Sequence, residues 1–381
     1  MIKVNKLLLS TISVVVFLIV VGVLIAQWKK NSQQKTYFKY SAQYNDLVGG
    51  KPHPTFKEAL DSMGWKNTES SESAKMLFLW DFTDYPKIRQ RVKMWRSKNK
   101  RIVFGFNTIN TFADKSALSV NLRTHLSTGE YNSMMPKTFS LYLDSDIQNL
   151  LNYVNTPANS KKLFIFKKNK QRQNNIIIKR GVDVLQGLKE KEYVVCQELL
   201  QNPLRISGHK INIRVYLVCV CNNGVFDMYV FNNGFIYYAP DKFIKDSTKL
   251  SVNITTGYVD RKIYEENPLT IADLNNRLGE DSFRRLFSNI TKTFSNVKRS
   301  YESIVSEGDC WQREVIKFTI LGADIAPDED MNVKIMEINK GPDLRYKDDR
   351  DKEVKLALVK ECLKLVTRGH GYSKKQAFIK L

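Results

Sequence analysis

Short apolar segments recur along this chain from residue 75 onward, and each has the length of a β-strand rather than that of a long helix. Examples are residues 76–80, 213–220 and 318–325. Stretches with helical spacing of apolar residues lie between such segments, the longest at residues 269–306. Asn222-Asn223-Gly224 separates two apolar segments and is typical of a tight hairpin turn. This alternation predicts a mixed α/β or α+β fold with mixed β-sheets.

The charge of the chain is strongly positive. Among its 381 residues, 60 Lys and Arg face 39 Asp and Glu, which gives a formal net charge of +21. A field of that sign attracts polyanions, such as an acidic protein tail, anionic lipid or nucleic acid. Basic residues spread over a solvated surface would give the same total. The hydrophobic content of 43% and the charged content of 26% exclude a mostly disordered chain.

The five cysteines, Cys196, Cys219, Cys221, Cys310 and Cys362, include no CxxC pair. Cys219 and Cys221 are two residues apart in an apolar segment, so both point to the same face of the predicted strand. We predict buried free thiols, which fit a reducing compartment better than an oxidising one. None of the four histidines lies at a ligand spacing from these cysteines, which argues against a zinc site.

Residues 7–27 form an uncharged segment dominated by Val, Leu and Ile. Its 21 residues would span about 30 Å as a helix, which matches the hydrocarbon core of a bilayer. The apolar part of a cleaved signal peptide is shorter, about 7–15 residues, and is followed by small residues. We therefore predict an uncleaved transmembrane helix and a single-pass membrane protein. The lysines that follow the segment outnumber those before it, which favours a cytoplasmic C-terminal domain.

The segment that follows the predicted anchor is polar and contains Gly49-Gly50 and Pro52-His53-Pro54, as expected of a linker with a short helix near residues 56–63. The predicted organisation is a tail at residues 1–6, a transmembrane anchor at 7–27, a linker at 28–74, a folded domain at 75–368 and a basic tail at 369–381.

The strongest chemical signal is a group of polar side chains on two predicted strands near the C-terminus. Asp324 lies in the strand at 318–325, and Glu337 and Asn339 lie two residues apart in the next strand, so the latter pair shares a face. Two carboxylates and a carboxamide on one sheet face form an oxygen cage suited to Mg²⁺. The polar outer face of a hairpin would show the same pattern.

A second group of candidate residues is basic. Lys210, Asn212 and Arg214 alternate with apolar residues, so all three project to one side of a strand, where they could bind a phosphate or a carboxylate. Residues 161–180 contain eight basic and no acidic side chains, and Lys167 ends a predicted strand where it could reach a nucleotide phosphate. A solvated strand face and an exposed basic hairpin are the alternative interpretations.

Taken in order, six segments resemble those of the tubulin–tyrosine ligase-like family, whose members have an ATP-grasp fold. The resemblance covers about residues 76–366 and includes the complete group of Asp324, Glu337 and Asn339. The six segments are Leu79-Trp80-Asp81 and residues 135–139, 164–167, 195–199, 208–216 and 318–344. The resemblance implies an ATP-grasp-type domain with mixed sheets, preceded here by the predicted transmembrane helix.

The resemblance also implies cofactors and roles for individual residues. ATP and Mg²⁺ would be the cofactors, with Asp324, Glu337 and Asn339 as metal ligands. Lys210 and Arg214 would be catalytic, because the matching residues of the family hold the phosphate and the acyl intermediate. The residues implied to contact the nucleotide or its metal are Lys137, Lys167, Arg172, Gln197, Glu198, Leu199, Lys210, Asn212, Arg214, Asp324, Glu337 and Asn339.

Departures from the family pattern fall on the phosphate loop and on the substrate side. The glycine-containing loop of the family corresponds to Arg172-Gln173-Asn174-Asn175-Ile176, which lacks both glycines. Glycine lets a backbone approach a phosphate closely, and asparagine adds bulk there. Asn212 stands where the family usually has Asp, Lys168 where it has Pro, and Asn253-Ile254-Thr255-Thr256 where it has His-Leu-Thr-Asn.

The resemblance thus implies an ATP-dependent carboxylate–amine ligase. It would add an amino acid, with glutamate as the first expectation, to a carboxylate of an acidic protein such as tubulin through an acyl phosphate. The missing glycines favour an alternative, a catalytically impaired ATP-grasp protein that binds nucleotide or acidic tails. A third hypothesis is a membrane-anchored module that binds polyanions. The predicted partners are a free amino acid, an acidic protein tail and, through residues 7–27, a membrane, whereas nucleic acid is not expected.

Overall fold

The computed structural model of the protein describes residues 16, 18–23, 36–40, 53–68, 74–79, 101–169, 176–190, 192–368 and 377–381. These residues form two β-sheets with helices packed around them. The strands are β1 Thr36–Tyr40, β2 Lys66–Asn67, β3 Met76–Leu79, β4 Arg101–Phe104, β5 Thr138–Ser140, β6 Leu163–Lys168, β7 Ile176–Arg180, β8 Tyr193–Glu198, β9 Arg205–Ile206, β10 His209–Asn222, β11 Val225–Tyr238, β12 Val315–Pro327, β13 Val333–Lys340 and β14 Phe378–Lys380.

The larger sheet is mixed and runs in the order β14-β11-β10-β12-β4-β3-β1-β2. In addition, β13 pairs with β12, and β9 pairs with β10. The neighbours β3, β4 and β12 are parallel, whereas the pairs that β10 forms with β11 and β12, and the pair of β12 and β13, are antiparallel. The mixed α/β class that the alternation of apolar segments predicts is therefore confirmed.

Strands β10 and β11, each of 14 residues, pair with each other and form a hairpin. Its turn contains Asn223 and Gly224, whose φ angles are +55° and +85°. Glycine takes up positive φ without steric cost, and asparagine does so more readily than most residues. The hairpin predicted from Asn222-Asn223-Gly224 is confirmed.

The centre of the larger sheet is the main core. β10 lies between β11 and β12, and its residues Ile213, Val215, Tyr216, Leu217 and Val218 are all fully buried. A continuous apolar run of this kind is typical of a strand covered on both faces. Burying one such side chain contributes about 1.5–3 kcal/mol, so this strand is a rigid support for the polar residues at its start.

Helices cover the larger sheet and connect it to the smaller one. The helices from residue 53 onward are α1 Pro54–Ser62, α2 Ile109–Ala113, α3 Lys115–His125, α4 Thr128–Met134, α5 Asp144–Val154, α6 Val184–Leu188, α7 Leu250–Asn253, α8 Ile263–Glu266, α9 Ile271–Leu278, α10 Glu280–Gly308 and α11 Asp349–Arg368, with a 3-10 turn at Gly181–Asp183. The longest of them, α10, buries Leu286, Ile290, Phe294, Val297 and Tyr301, whose spacing of three or four residues places them on one face.

The smaller sheet is antiparallel and has the order β5-β8-β6-β7. Alternate residues of β6 point to opposite faces: Phe164 and Phe166 pack with the buried residues of α5, whereas Leu163 and Ile165 pack with Ile178 and its neighbours. The face that carries Ile165 also contacts Leu199 and Ile254. It forms one wall of the cleft described below.

Two segments that the sequence places outside the folded domain are packed against it. β1, which lies inside the predicted linker at 28–74, pairs with β2 and with β3. In the same segment α1 buries Phe56 and Leu60 in the main core. β14 lies inside the predicted tail at 369–381 and pairs with β11. These segments of the predicted linker and tail therefore take part in the larger sheet and its core, and each strand pairs with partners distant in the sequence.

Cys221 and Cys310 form a disulfide bond, so the prediction of free thiols is wrong for this pair. The bond joins the end of β10 to the residues that follow α10, across a sequence separation of 89. Residue spacing could not reveal this pair, because only the tertiary fold brings the two elements together. Cys196, Cys219 and Cys362 are free and buried, as predicted.

No helix within the described ranges has both the length and the apolar content needed to cross a bilayer. Of the predicted anchor at 7–27, only residues 16 and 18–23 are described, and they are helical; the rest of that segment lies outside the described residues. The predicted single-pass membrane localisation is corrected on this finding.

Candidate functional site

A cleft of about 330 Å³ lies between the smaller sheet and the larger sheet. Its walls carry Lys167 from β6, Lys210 and Arg214 from β10, Asp324 from β12 and Glu337 from β13. The structure thus brings together candidate residues from four strands of two sheets. The strands hold these side chains in fixed positions, because each strand is paired on at least one side within the described residues.

The acidic residues of the cleft lie on neighbouring antiparallel strands. Asp324 is directly opposite Glu337, and Gly322 is directly opposite Asn339. The Asn339 amide Nδ2 donates a hydrogen bond of 2.9 Å to Oε1 of Glu337. Cross-strand partners share one face of a sheet, and so do residues two apart. The three side chains proposed from the sequence to bind Mg²⁺ therefore lie side by side and face the cleft.

The charge on Glu337 is stabilised by its surroundings. Burial alone would raise the pKa of Glu337, but the Lys115 ammonium, the Asn339 amide, Lys167 and Arg214 together lower the pKa to about 2. The Lys115 Nζ lies 3.2 Å from Oε2 of Glu337. For Asp324, burial raises the pKa, Arg214 acts against the rise, and the adjacent Glu337 carboxylate adds to it.

Arg214 forms a two-pronged ion pair with Asp324. Nε lies 2.5 Å from Oδ1 and Nη2 lies 2.8 Å from Oδ2 of the carboxylate. The guanidinium carbon is 5.2 Å from the centre of the Tyr237 ring. Arg214 therefore fixes the orientation of Asp324 and lies beside an aromatic side chain of the cleft, and this geometry was not anticipated from the sequence.

Lys167 is held by the end of β8 and by β13. Its Nζ donates hydrogen bonds to Oε1 of Gln197 at 2.8 Å and to the Met336 carbonyl at 3.3 Å. Gln197 in turn donates from Nε2 to Oγ1 of Thr138 at 2.8 Å. Gln197 thus positions Lys167 rather than lining the cleft itself. Burial, opposed by the Glu337 and Asp324 carboxylates and aided by Lys115, lowers the pKa of Lys167 to about 8.

Lys210 and Asn212 are the polar side chains at the start of β10. The Lys210 side chain is 2% exposed, yet its ammonium has no hydrogen bond or ion pair among the described residues. Burial, aided by Lys167, lowers the pKa of Lys210 to about 8. The buried Oδ1 of Asn212 also lacks a hydrogen-bond partner among these residues. A buried polar atom without a partner costs free energy. A ligand could supply an anionic group for the Lys210 ammonium and a hydrogen-bond donor for Oδ1 of Asn212.

One end of the cleft is apolar. Ile165, Ile176, Leu199, Ile254 and Met336 line it, from both sheets and from the loop after α7. A flat aromatic group could be buried against this wall while a charged group attached to it reaches Lys167 and Lys210.

The other residues proposed from the sequence lie elsewhere. Lys137 is exposed, and its Nζ lies 5.6 Å from the centre of the Tyr153 ring in a separate hollow on the far side of β5. Glu198 accepts a hydrogen bond of 2.8 Å from the Tyr153 hydroxyl and pairs with Lys162. The structure does not bring Lys137 and Glu198 into the cleft. Arg172 lies outside the described residues.

Sequence reasoning missed several residues of the cleft, among them Lys115, Tyr237, Lys347 and Lys355. Lys115 is the first residue of α3, and the side chain of Asp114 caps that helix by accepting from the Ala117 N–H. This capping pattern could have located the helix. It could not have revealed the contact with Glu337, which depends on the packing of α3 against distant strands.

The donor set fits a magnesium ion better than a softer metal. Among the described residues there is no group of three or more His, Cys, Asp and Glu side chains that could hold a metal. Two carboxylates and one amide oxygen are the ligands that Mg²⁺ takes when substrate phosphates and water complete its shell. Burial raises the pKa of Asp324, and the close approach of Glu337 adds to the rise through a repulsion that a cation would relieve.

Comparison with known proteins identifies the same part of the chain. The model of the tubulin-tyrosine ligase family matches residues 94–373. The tubulin polyglutamylase TTLL6 of Mus musculus is 24% identical over 339 residues, 81% of this chain and 38% of the relative. The tubulin polyglutamylase ttll-4 of Caenorhabditis briggsae is 25% identical over 66% of this chain and 43% of its own length. The protein polyglycylase TTLL10 of Rattus norvegicus is 25% identical over 45% of this chain. The chain thus spans less than half the length of these relatives.

Proposed function

Because the chain belongs to the tubulin–tyrosine ligase family, we propose that it is an ATP-dependent ligase that joins an amino acid to a carboxylate of an acidic protein. The observation that carries this proposal is the position of Asp324, Glu337 and Asn339 in one cleft with the ammonium of Lys210, which has no partner among the described residues. An oxygen cage beside buried cations is the arrangement that a nucleotide triphosphate with its metal requires.

The nucleotide would use the full length of the cleft. Its base would lie against the apolar wall that contains Ile165, Leu199 and Met336. Its phosphates would be bound by Lys167 and Lys210, and the negative charge of the phosphates would offset the free energy that burying the two ammonium groups costs. When bound, Mg²⁺ would neutralise part of the phosphate charge, and Asp324, Glu337 and Asn339 would hold it.

The reaction consists of two displacements. An oxygen of the acceptor carboxylate attacks the terminal phosphorus of ATP, which releases ADP and forms an acyl phosphate. The amine of the free amino acid then attacks the acyl carbon, phosphate leaves, and the nitrogen loses a proton to form the amide. Lys167 and Lys210 stabilise the negative charge that builds up on the phosphoryl oxygens. Arg214 orients Asp324 through two hydrogen bonds and opposes the rise that burial causes in the pKa of Asp324.

The identity of the amino acid and of the acceptor rests on two supports. Relatives named tubulin polyglutamylases align over most of this chain, so glutamate and the tubulin tails are the first substrates to test. The net charge of +21 suits an acidic acceptor. A second candidate function, a nucleotide-binding protein with impaired ligation, is favoured by one observation: residues 172–176 lack both glycines of the family's phosphate loop.

The affinity for Mg-ATP is expected to fall as the pH rises from 7 to 9. In the ligand-free protein the pKa values of Lys167 and Lys210 are both about 8, so each ammonium loses its proton in this range. The anionic nucleotide binds the protonated forms. For each lysine, the affinity therefore falls by about tenfold per pH unit above pH 8, where the free lysine is deprotonated. Calorimetric titration at several pH values measures this, and Lys167→Arg should flatten the decline because a guanidinium keeps its charge. An affinity that stays constant up to pH 9 would contradict the assignment.

The proposed ligase is tested by supplying the full chain with Mg-ATP, tubulin, and labelled glutamate, glycine or tyrosine one at a time. We expect ATP-dependent incorporation of label into tubulin, with glutamate the best substrate. Nucleotide binding without incorporation of any amino acid would instead support the impaired protein. If neither binding nor incorporation occurs, both functions are rejected.

A further inference from the structure

The cleft continues beyond the Arg214–Asp324 ion pair into a second compartment. We call it the distal compartment; it is lined by Tyr237, Gly257, Tyr258, Asp343 and Lys347. It adjoins the ion pair directly, because the Arg214 guanidinium lies beside the Tyr237 ring, 5.2 Å from its centre. The apolar wall that suits the nucleotide base consists of other residues, so the distal compartment is available to a second substrate.

Most charges near the distal compartment are already compensated within the protein. Asp343 forms a two-pronged ion pair with Arg345, with distances of 2.9 Å and 3.0 Å. Lys355 pairs with Asp351 at 2.9 Å and also donates to the Arg345 carbonyl at 2.7 Å. These groups hold one another in place and leave little charge for a ligand.

Lys347 is different, because among the described residues its ammonium has no carboxylate partner. Its Nζ donates to the Gly257 carbonyl and lies 4.3 Å from the centre of the Tyr258 ring. Its backbone N–H is fixed by a hydrogen bond of 2.9 Å to Asp351. The residue is therefore anchored at its main chain and presents to the cleft an ammonium that forms no ion pair with a described carboxylate.

Two neighbours complete an anion-binding geometry. The Tyr237 hydroxyl makes no hydrogen bond among the described residues, and burial raises the pKa of Tyr237 to about 12 although Arg214 opposes the rise, so the hydroxyl remains a donor. A Cβ atom on Gly257 would lie 3.1 Å from Cε1 of Tyr237 and 3.4 Å from Nζ of Lys347. A larger residue at position 257 would push against the Tyr237 ring and the Lys347 ammonium, so a glycine here lets both lie at these positions.

From this geometry we propose that Lys347, assisted by the Tyr237 hydroxyl, binds a carboxylate of the incoming amino acid. This inference rests on the proposed ligase function and identifies where its second substrate is held. An amino acid bound there by its carboxylate would have its amine free to reach the space beside Arg214 and Asp324, where the acyl group forms. Lys347 is thus a substrate-binding residue separate from the groups that hold the nucleotide.

The test measures equilibrium binding of radiolabelled glutamate to the full chain in the presence of Mg²⁺ and a non-hydrolysable ATP analogue. We expect Lys347→Gln to weaken glutamate binding by about tenfold or more, because it removes a charge-assisted hydrogen bond. Lys347→Arg should restore most of the affinity. Lys66→Gln, at an exposed lysine of β2 outside the cleft, is the matched control and should bind like the unaltered protein.

The affinity for the ATP analogue is measured on the same samples, and it should not change in Lys347→Gln. Retained nucleotide binding also shows that the variant is folded. Unchanged glutamate binding in Lys347→Gln, or an equal loss of nucleotide affinity, would overturn the inference. The binding assay needs no turnover, so a failure of the ligase assay with tubulin would count against the proposed function and not against the role of Lys347.

Discussion

Replacing Glu337 by Gln is expected to lower ATP-dependent amino-acid transfer by at least about 100-fold, a loss typical of removing a charged ligand that stabilises phosphoryl transfer. The carboxylate is fully ionised at neutral pH because its pKa is about 2. The amide of the variant keeps the shape of the side chain but not its charge, and it leaves Lys115 without its ion-pair partner. Initial rates at saturating and at varied Mg²⁺ concentrations measure the effect, and the concentration of Mg²⁺ at half-maximal rate should rise.

Glu329→Gln provides the matched control. Glu329 lies in the turn of the same β12–β13 hairpin, pairs with Arg205 at the surface, and is not part of the cleft. Its variant should retain the activity of the unaltered protein. A Glu337→Gln variant whose rate stayed within threefold of that control would show that this carboxylate is not a ligand of the reacting nucleotide–metal complex.

Replacing Arg214 by Met should lower the free energy of unfolding by about 3 kcal/mol or more. The side chains of Arg214 and Asp324 are only 13% and 14% exposed, so removing the guanidinium leaves a buried carboxylate without compensation. Breaking such a buried pair by deleting one partner typically costs about 3–5 kcal/mol. Urea unfolding at neutral pH, monitored by circular dichroism, measures the change.

Two further variants separate this cost from the loss of a long side chain. Arg205→Met removes an arginine whose ion pair with Glu329 is 48% and 53% exposed, and it should cost less than about 1 kcal/mol. Adding Asp324→Asn to Arg214→Met should recover part of the lost stability, because the uncompensated charge is then gone. If the double variant were as unstable as the sum of the two single changes, the ion pair would not be the source of the effect.

These predictions share one physical cause. Five charged side chains, those of Lys115, Lys167, Arg214, Asp324 and Glu337, are held at low exposure in one cleft, and each ion pair is oriented by a neighbour. The Lys210 ammonium beside them has no hydrogen-bond or ion-pair partner within the part of the chain that the structure describes. Burying these charged side chains costs more free energy than burying apolar side chains in a cleft of the same size. The arrangement therefore indicates a site for a charged ligand.

The sequence by itself determined the elements and their local polar patterns. The apolar segments predicted the strands, Asn222-Asn223-Gly224 predicted the hairpin, and the spacing of Glu337 and Asn339 placed both on one face. These features depend on the period of a strand and on backbone angles available to Asn and Gly, so a few adjacent residues suffice to specify them. The pairing of Asp324 with Glu337 was also accessible, because their strands follow one another in the chain.

The tertiary structure decided everything that joins distant parts of the chain. It placed Lys115 of α3 on Glu337, Lys347 beside Tyr258, and Lys137 outside the cleft. It also joined Cys221 to Cys310 and drew β1 and β14 into the larger sheet. The local spacing of residues does not predict any of these contacts. Each forms only when hydrophobic burial packs distant elements together and fixes the polar groups at their edges.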